Sequence, residues 1–441
     1  MNAVTPINYV VNPGGALRGN IQVPGDKSIS HRAIMLGAIA NGITKISGFL
    51  QGEDTLATMA AFRAMGVNID HQGMEVNIKG VGLYGLSAPV SPLDLGNSGT
   101  STRLLAGLLA GQKFDSEIRG DASLMKRPMR RVIDPLKKMH ADISCSDQGT
   151  LPIHIRGNKT LQGIEYHTPV ASAQLKSCLL LAGLYAKGKT CVYESAATRD
   201  HTERMLQYFG SDLEKHSNVI CITGGKELQA AIISIPADIS SAAFFMVGAC
   251  IAEDSDITLL GTGINPTRDA VIHILQAMGA DITLENQTSS SGELVADIRV
   301  RHSQLQGINI PIELVPSAID EFPAIMIAAA CATGKTILHG AEELRVKESN
   351  RIKAISDGLR AIGITVETHD DGMEVTGGKI TGGIVNSHTD HRIAMAFSMA
   401  GLCSEKPIRI LDCANVNTSF PGFVDLANRT GLQVTTEITG E

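Results

Sequence analysis

Pro24-Gly25-Asp26-Lys27-Ser28-Ile29-Ser30-His31-Arg32 is the stretch from which the fold of this chain is read. A short apolar segment, residues 21–23, precedes it. An apolar-periodic run, residues 29–40, follows it and stops at Asn41-Gly42. The pattern predicts a strand, a tight turn and the start of a helix. Ser28 is the predicted N-cap, its hydroxyl accepting from the free N–H groups of the first turn. Those N–H groups favour anions. Lys27 and Arg32 add positive charge, and Ser28 and Ser30 add hydroxyls, so a phosphate or carboxylate suits the place. One such helix alone reads as a capped surface helix with solvated cations. Repetition changes that reading.

A Ser/Ala-rich helix, a Gly-containing stop and a β-branched strand recur over residues 29–49, 100–118, 172–193, 240–259, 319–338 and 392–410. Their starts are about 70–80 residues apart, longer than a solenoid unit. A second helical pattern follows each strand, ending in similar phrases such as Arg63-Ala64-Met65-Gly66 and Arg360-Ala361-Ile362-Gly363. Alternating strands and helices give the α/β class. Six copies make either one ring or two groups of three. A hinge is expected at about 236–239 and a second crossing at Pro24-Gly25. The expected domains are therefore 1–23 with 238–441, and 24–237. Residues 288–292, Thr-Ser-Ser-Ser-Gly, read as a hairpin tip.

The 441 residues suffice for two domains. Tryptophan is absent, so the cores must be aliphatic. A net charge of −7 argues against general nucleic-acid binding, and basic residues must be gathered locally to hold an anion. The eight cysteines show no Cys-x-x-Cys; reduced thiols and a cytoplasmic location are expected. No apolar run approaches the roughly 20 residues that span a bilayer, so no membrane association is expected.

Chemically loaded residues cluster at the predicted helix starts. Gly96-Asn97-Ser98-Gly99-Thr100-Ser101-Thr102-Arg103 lets a ligand approach the backbone. Met125-Lys126-Arg127-Pro128-Met129-Arg130-Arg131 puts cations where a helix dipole opposes them, a conflict that a bound anion or plain solvation resolves. Ser172-Ala173-Gln174-Leu175-Lys176, Arg199-Asp200-His201-Thr202-Glu203 and Asn265-Pro266-Thr267-Arg268 open further helices. Gly183-Leu184-Tyr185-Ala186-Lys187-Gly188-Lys189-Thr190 matches the phosphate-loop pattern letter for letter. It runs from helix to strand, the wrong order, which excludes a nucleotide triphosphatase of that type. The second half adds Ile319-Asp320-Glu321-Phe322-Pro323, a charge run Leu344–Arg351 and Asp390-His391-Arg392. Lys347 and Arg351 share a face if that run is helical. His388-x-x-His391 with Asp390 is an incomplete metal-ligand set, and no metal is expected.

Together these motifs, nearly end to end, closely resemble the 3-phosphoshikimate 1-carboxyvinyltransferases, or 5-enolpyruvylshikimate-3-phosphate synthases, of the second class. The resemblance implies an inside-out α/β barrel of two domains, each of three βαβαββ-type units, with the active site in the cleft between them. It implies transfer of the enolpyruvyl group of phosphoenolpyruvate to the 5-hydroxyl of shikimate 3-phosphate, with no metal or organic cofactor. The expected partners are those two small molecules alone, and the expected protein is a monomer. By motif match, Asp320 is the base, Glu348 the proton donor, Lys27 a shuttle touching both substrates, and His391 a polarising group. Lys27, Ser28, Arg32, Ser172, Ala173, Gln174, Arg199, Asp320 and Lys347 are expected to hold shikimate 3-phosphate. Lys27, Asn97, Gly99, Arg127, Gln174, Glu348, Arg351 and Arg392 are expected to hold phosphoenolpyruvate, a place that glyphosate takes in this family. Thr418 departs from the pattern, standing where many members carry a lysine. Two rivals share the fold: a transferase acting on UDP-N-acetylglucosamine, which usually has a loop cysteine absent from residues 112–125 here, and a non-catalytic anion-binding protein, which would be expected to have lost Asp320 or Glu348.

Overall fold

Six β-sheets carry the six repeats. The computed structural model describes residues 7–157 and 160–438. The ends of the expected 1–23 and 238–441 segments, residues 1–6 and 439–441, lie outside the described residues. The chain divides into two compact units. One comprises the N-terminal stretch to Pro24 with Pro236–Thr288 and Leu294–Glu441; the other comprises Gly25–Ile235 with Ser289–Glu293. Each unit has its own apolar cluster, one running from Tyr9 to Val434 and the other from Ile29 to Ile235.

In the Gly25–Ile235 unit the strand Ala40–Ser47 pairs antiparallel with Glu75–Val81 and parallel with Ile232–Ser234. Ser116–Arg119 repeats this with Ile153–Arg156 and Leu93–Asp94, and Lys189–Tyr193 with Val219–Thr223 and Glu165–His167. The parallel partner of the first repeat comes from the end of the third, so three repeats close on themselves. The other unit does the same. Asp256–Gly263 takes Arg18–Ile21 as its parallel partner, while Ile408–Leu411 pairs antiparallel with the N-terminal strand Ile7–Val11.

Each repeat sends one helix inward: Lys27–Ile39, Gly99–Ala110 and Ala173–Gly183 in one unit, Ile239–Ile251, Phe322–Cys331 and His391–Ala400 in the other. These are buried almost all round; every residue of Ile239–Ile251 is buried. A helix apolar on every side has no solvent face to offer, so sheets and amphipathic helices must surround it. Small residues permit close contact. A Cβ at Gly107 would stand 2.1 Å from the Cys178 carbonyl oxygen on the neighbouring inner helix.

Three local expectations need correction. The cap of Lys27–Ile39 is Asp26, not Ser28: Asp26 Oδ1 accepts from Ile29 N at 2.8 Å. The helix begins two residues earlier than a Ser28 cap implies, and a carboxylate suits its positive end better. Lys347 and Arg351 do not share a helical face, because a 3₁₀ turn, Glu342–Val346, ends before Lys347 and a new helix, Arg351–Ala361, starts under an Asn350 cap. The thiols are not all reduced. Strand register puts Cys191 directly opposite Cys221, and the two are bridged. Their separation of 30 residues hides that pairing from spacing rules. The phosphate-loop look-alike lies between the helix Ala173–Gly183 and the strand Lys189–Tyr193, as its order implied.

Candidate active site

The inner helices of the Gly25–Ile235 unit meet at their N-terminal ends. His31 Nδ1, from the first, lies 3.1 Å from Ser101 Oγ of the second and 2.8 Å from Thr58 Oγ1. Arg103 Nη1 donates to Gln174 Oε1 of the third at 2.7 Å, and Gln174 Nε2 donates to Thr100 Oγ1. Ser98 caps the second helix, accepting from Ser101 N, and Ser172 caps the third. Gly99 is thus the first residue of a capped helix. Its open side faces two cations: a Cβ there would meet Arg103 Nη1 at 3.0 Å and Arg127 Nη1 at 3.1 Å.

Around these ends stand the cations. Lys27 Nζ pairs with Asp54 Oδ2 at 2.7 Å. Arg127 Nη2 donates to Asn97 Oδ1 at 2.5 Å, and Asn97 Nδ2 donates to Asp121, so Asn97 aims the arginine. Arg131 Nη1 reaches Ser172 Oγ. Arg32 is buried, donating to Thr202 Oγ1, the Ser28 carbonyl and Ser177 Oγ. Burial pulls its pKa down to about 10 against the pull of Glu203. Next to it Lys176, fully buried, lies 2.9 Å from Glu194 Oε1 and 2.6 Å from Glu203 Oε1. Lys176 Nζ also reaches the Thr198 carbonyl, tethering the loop from which Arg199 emerges. His201 is buried with Nδ1 2.7 Å from Glu293. Ala173 adds only its place in the first turn.

The other unit gathers acids. Arg351 is 1% exposed and holds three carboxylates. Its Nε donates to Asp390 Oδ2 at 2.8 Å, Nη1 to Asp320 Oδ1 at 3.2 Å and Nη2 to Glu348 Oε2 at 2.7 Å. Burial lowers its pKa, but Asp390, Glu348 and Asp320 outweigh burial and hold it above the ordinary arginine value. Burial raises Asp390, yet Arg351 beside it brings the carboxyl below the usual range. Lys347 Nζ lies 3.3 Å from the same Asp320 Oδ1. Asp390 also caps the last inner helix, accepting from Arg392 N, which leaves His391 buried at its first position. Arg392 Nη1 donates to the Asp320 carbonyl at 2.8 Å. Thr418 spends its hydroxyl on the Asn415 carbonyl.

Residues 11–426 match the family model described as EPSP synthase (3-phosphoshikimate 1-carboxyvinyltransferase). The 3-phosphoshikimate 1-carboxyvinyltransferase of Alkalilimnicola ehrlichii is 61% identical, over 97% of this chain and 97% of its own. That of Methylococcus capsulatus is 60% identical, over 97% and 98%. The solved structure of an EPSP synthase from Acinetobacter baumannii superposes with a TM-score of 0.89 at 53% identity, covering 98% of this chain and all of that one.

The chain belongs to the EPSP synthase family.

Its fold is that of the EPSP synthases, a two-domain inside-out α/β architecture. It is an enolpyruvyl transferase of the shikimate pathway, which supplies aromatic amino-acid synthesis, and it acts on shikimate 3-phosphate and phosphoenolpyruvate. No described helix is long and apolar enough to cross a membrane. Within this EPSP synthase, the residue list read from motifs omits Arg103, Thr100, Asp54, Asp390 and Glu321. Thr100, Arg103, Glu321 and Asp390 lie inside the motifs quoted above, beside residues that were on the list. Asp54 lies outside every motif and meets Lys27 only through packing.

Proposed function

We propose that Asp320 and Glu348 perform the two proton transfers of the reaction. The observation that carries this reading is their shared partner: both carboxylates lie on the terminal nitrogens of one buried guanidinium, Arg351. In addition, the 5-hydroxyl oxygen attacks C2 of phosphoenolpyruvate, Asp320 takes the hydroxyl proton, and Glu348 gives a proton to the methylene carbon. In elimination the new methyl group returns a proton to Glu348, the bond from C2 to the phosphate oxygen breaks, and the proton held by Asp320 leaves with the phosphate. Arg351 steadies both acids through these changes of charge. Such help is typically worth about 10²–10⁴-fold per group.

Both substrates are polyanions, so charged hydrogen bonds and oriented N–H groups dominate their binding. Lys27, Ser28, Arg32, Ser172, Ala173, Gln174, Arg199, Asp320 and Lys347 hold shikimate 3-phosphate. Asn97, Gly99, Arg127, Gln174, Arg351 and Arg392 hold phosphoenolpyruvate, with Lys27 touching both and His391 polarising the leaving phosphate. Active-site closure brings the two sets together on the ligands, about hinges near 24 and 238. The enzyme works as a cytoplasmic monomer without a cofactor. The test is phosphate release with phosphoenolpyruvate and either shikimate 3-phosphate or UDP-N-acetylglucosamine. Release with the first alone supports the reading; release with the second alone, or with neither, defeats it.

A further inference from the structure

Glu321 stands next to Asp320 but faces elsewhere. It holds the N-cap position of Phe322–Cys331, yet its side chain makes no capping hydrogen bond. A capping oxygen normally turns back onto the N–H groups of its own helix. This carboxylate is instead completely buried among the ends of other inner helices. Its Oε1 accepts from the Ser240 hydroxyl and lies 3.5 Å from Arg392 Nη1 and 3.8 Å from Arg268 Nη2. Its Oε2 is buried with no hydrogen-bond partner. Arg268 Nη2 also donates to Ser240 Oγ at 2.5 Å and lies 3.3 Å from Asp238 Oδ1. Arg392 Nη1 completes the series by donating to the Asp320 carbonyl at 2.8 Å.

The series runs from Asp238 through Arg268, Ser240 and Glu321 to Arg392. It contains two carboxylates and two guanidinium groups, so its charge balances. Apolar residues of equal volume would stabilise such a place as well or better. What a buried ionic network adds is a defined geometry. Of its members, Arg392 is the one assigned to a substrate above.

We propose that Glu321 is a positioning residue for enolpyruvyl transfer: backed by Arg268, its carboxylate fixes the guanidinium of Arg392 and so sets the hold on phosphoenolpyruvate. The inference rests on the assignment of Arg392 to that substrate. Arg392 Nη1 lies between Glu321 Oε1 and the Asp320 carbonyl, which orients the rest of the fork. Without Glu321 the charge stays but its place is lost. Arg268, held in turn by Asp238, backs Glu321 and keeps it aimed.

Glu321→Gln keeps the shape and removes the charge. The expected result is a rise of about tenfold or more in KM for phosphoenolpyruvate, as for a lost charged hydrogen bond. The dissociation constant of shikimate 3-phosphate should stay within about twofold, and the melting temperature within a few degrees. Ser240→Ala, which removes the hydroxyl that orients Glu321, should give a smaller shift in the same direction. In an Arg392→Lys background, Glu321→Gln should add little, because the two act as one unit. An unchanged KM in Glu321→Gln beside a large rise in Arg392→Lys overturns the proposal alone. So does a proportional weakening of both substrates with a large loss of melting temperature, or full additivity. An unchanged KM in Arg392→Lys overturns the assignment of Arg392 and the proposal with it.

Discussion

Arg351 is the residue on which the proposed acid–base reading turns. Asp320 bonds to Arg351 and lies near Lys347, whereas Glu348 is bonded through one oxygen to Arg351. Glu348→Gln is therefore expected to lower kcat about 10²-fold or more with shikimate 3-phosphate binding intact. Asp320→Asn should lower kcat as much and weaken shikimate 3-phosphate too. Steady-state kinetics and equilibrium binding separate the two, and near-normal turnover in either variant removes its role. Gly99 makes a second test. It is not in the left-handed region that favours glycine, so alanine is tolerable to the backbone. The space beside it belongs to two arginine tips, at 3.0 and 3.1 Å from a Cβ. A methyl must push these aside, at roughly 1–3 kcal/mol, or about tenfold or more in affinity. Glyphosate, longer than phosphoenolpyruvate, should feel this more. In Gly99→Ala the inhibition constant for glyphosate is expected to rise much more than KM for phosphoenolpyruvate; equal changes would sink this steric account.

Among the elements, the inner helices do two things at once: they form the core and they aim their N-termini. Asp26 and Ser28 divide these tasks on Lys27–Ile39. Asp26 caps, while Ser28 lies in the first turn with its carbonyl under Arg32. Asp26→Ala should cost about 1 kcal/mol of stability, as lost caps do. Ser28→Ala should cost little stability but raise KM for shikimate 3-phosphate. Thermal melts beside kinetics decide it, and the reverse pattern would return the cap to Ser28. The sheets matter differently. In the Lys189–Tyr193 and Val219–Thr223 pair the bridged cysteines stiffen two strands next to Glu194, the carboxylate that Lys176 holds.

For the whole molecule, buried titratable groups decide the response to pH. His31 is fully buried; burial first, then Lys27 and Arg32, push its pKa well below 6.5, with Asp26 opposing. The folded chain therefore stays unprotonated at His31 while the unfolded chain binds a proton below about pH 6.5. Stability from this group is full above that pH and falls by about 1.4 kcal/mol per unit below it. Melting temperatures at pH 7 and pH 5 should drop several degrees further in the native chain than in His31→Asn. Equal drops would show that His31 titrates freely. Binding should also act on the whole molecule. A ligand stabilises a closed form only if it binds that form better. Saturating shikimate 3-phosphate is expected to lower the radius of gyration of an initially open protein in solution scattering, and an unchanged value would count against closure.

The repeated helix–stop–strand phrase was legible from the sequence alone because burial on every side leaves a local mark: Ile239–Ile251 has no polar stripe, and its copies look the same. So were the class, the six units and, through the motifs, the family, whereas the helix starts were placed only approximately: the first lies at Lys27 under Asp26, not after Ser28. Those signals are local, set by caps, glycines and periodicity within a few turns. Tertiary structure alone decided the partners. Asp320, Glu348 and Asp390 come from three stretches of one unit and meet on Arg351. Asp54 answers Lys27, Cys191 faces Cys221, and Glu321 turns from its own helix toward Arg392 and Arg268. Glu348 and Arg351 are three residues apart, but the other pairs lie beyond any local spacing rule. These contacts form only once strands and helices have packed, where buried polar groups must find partners.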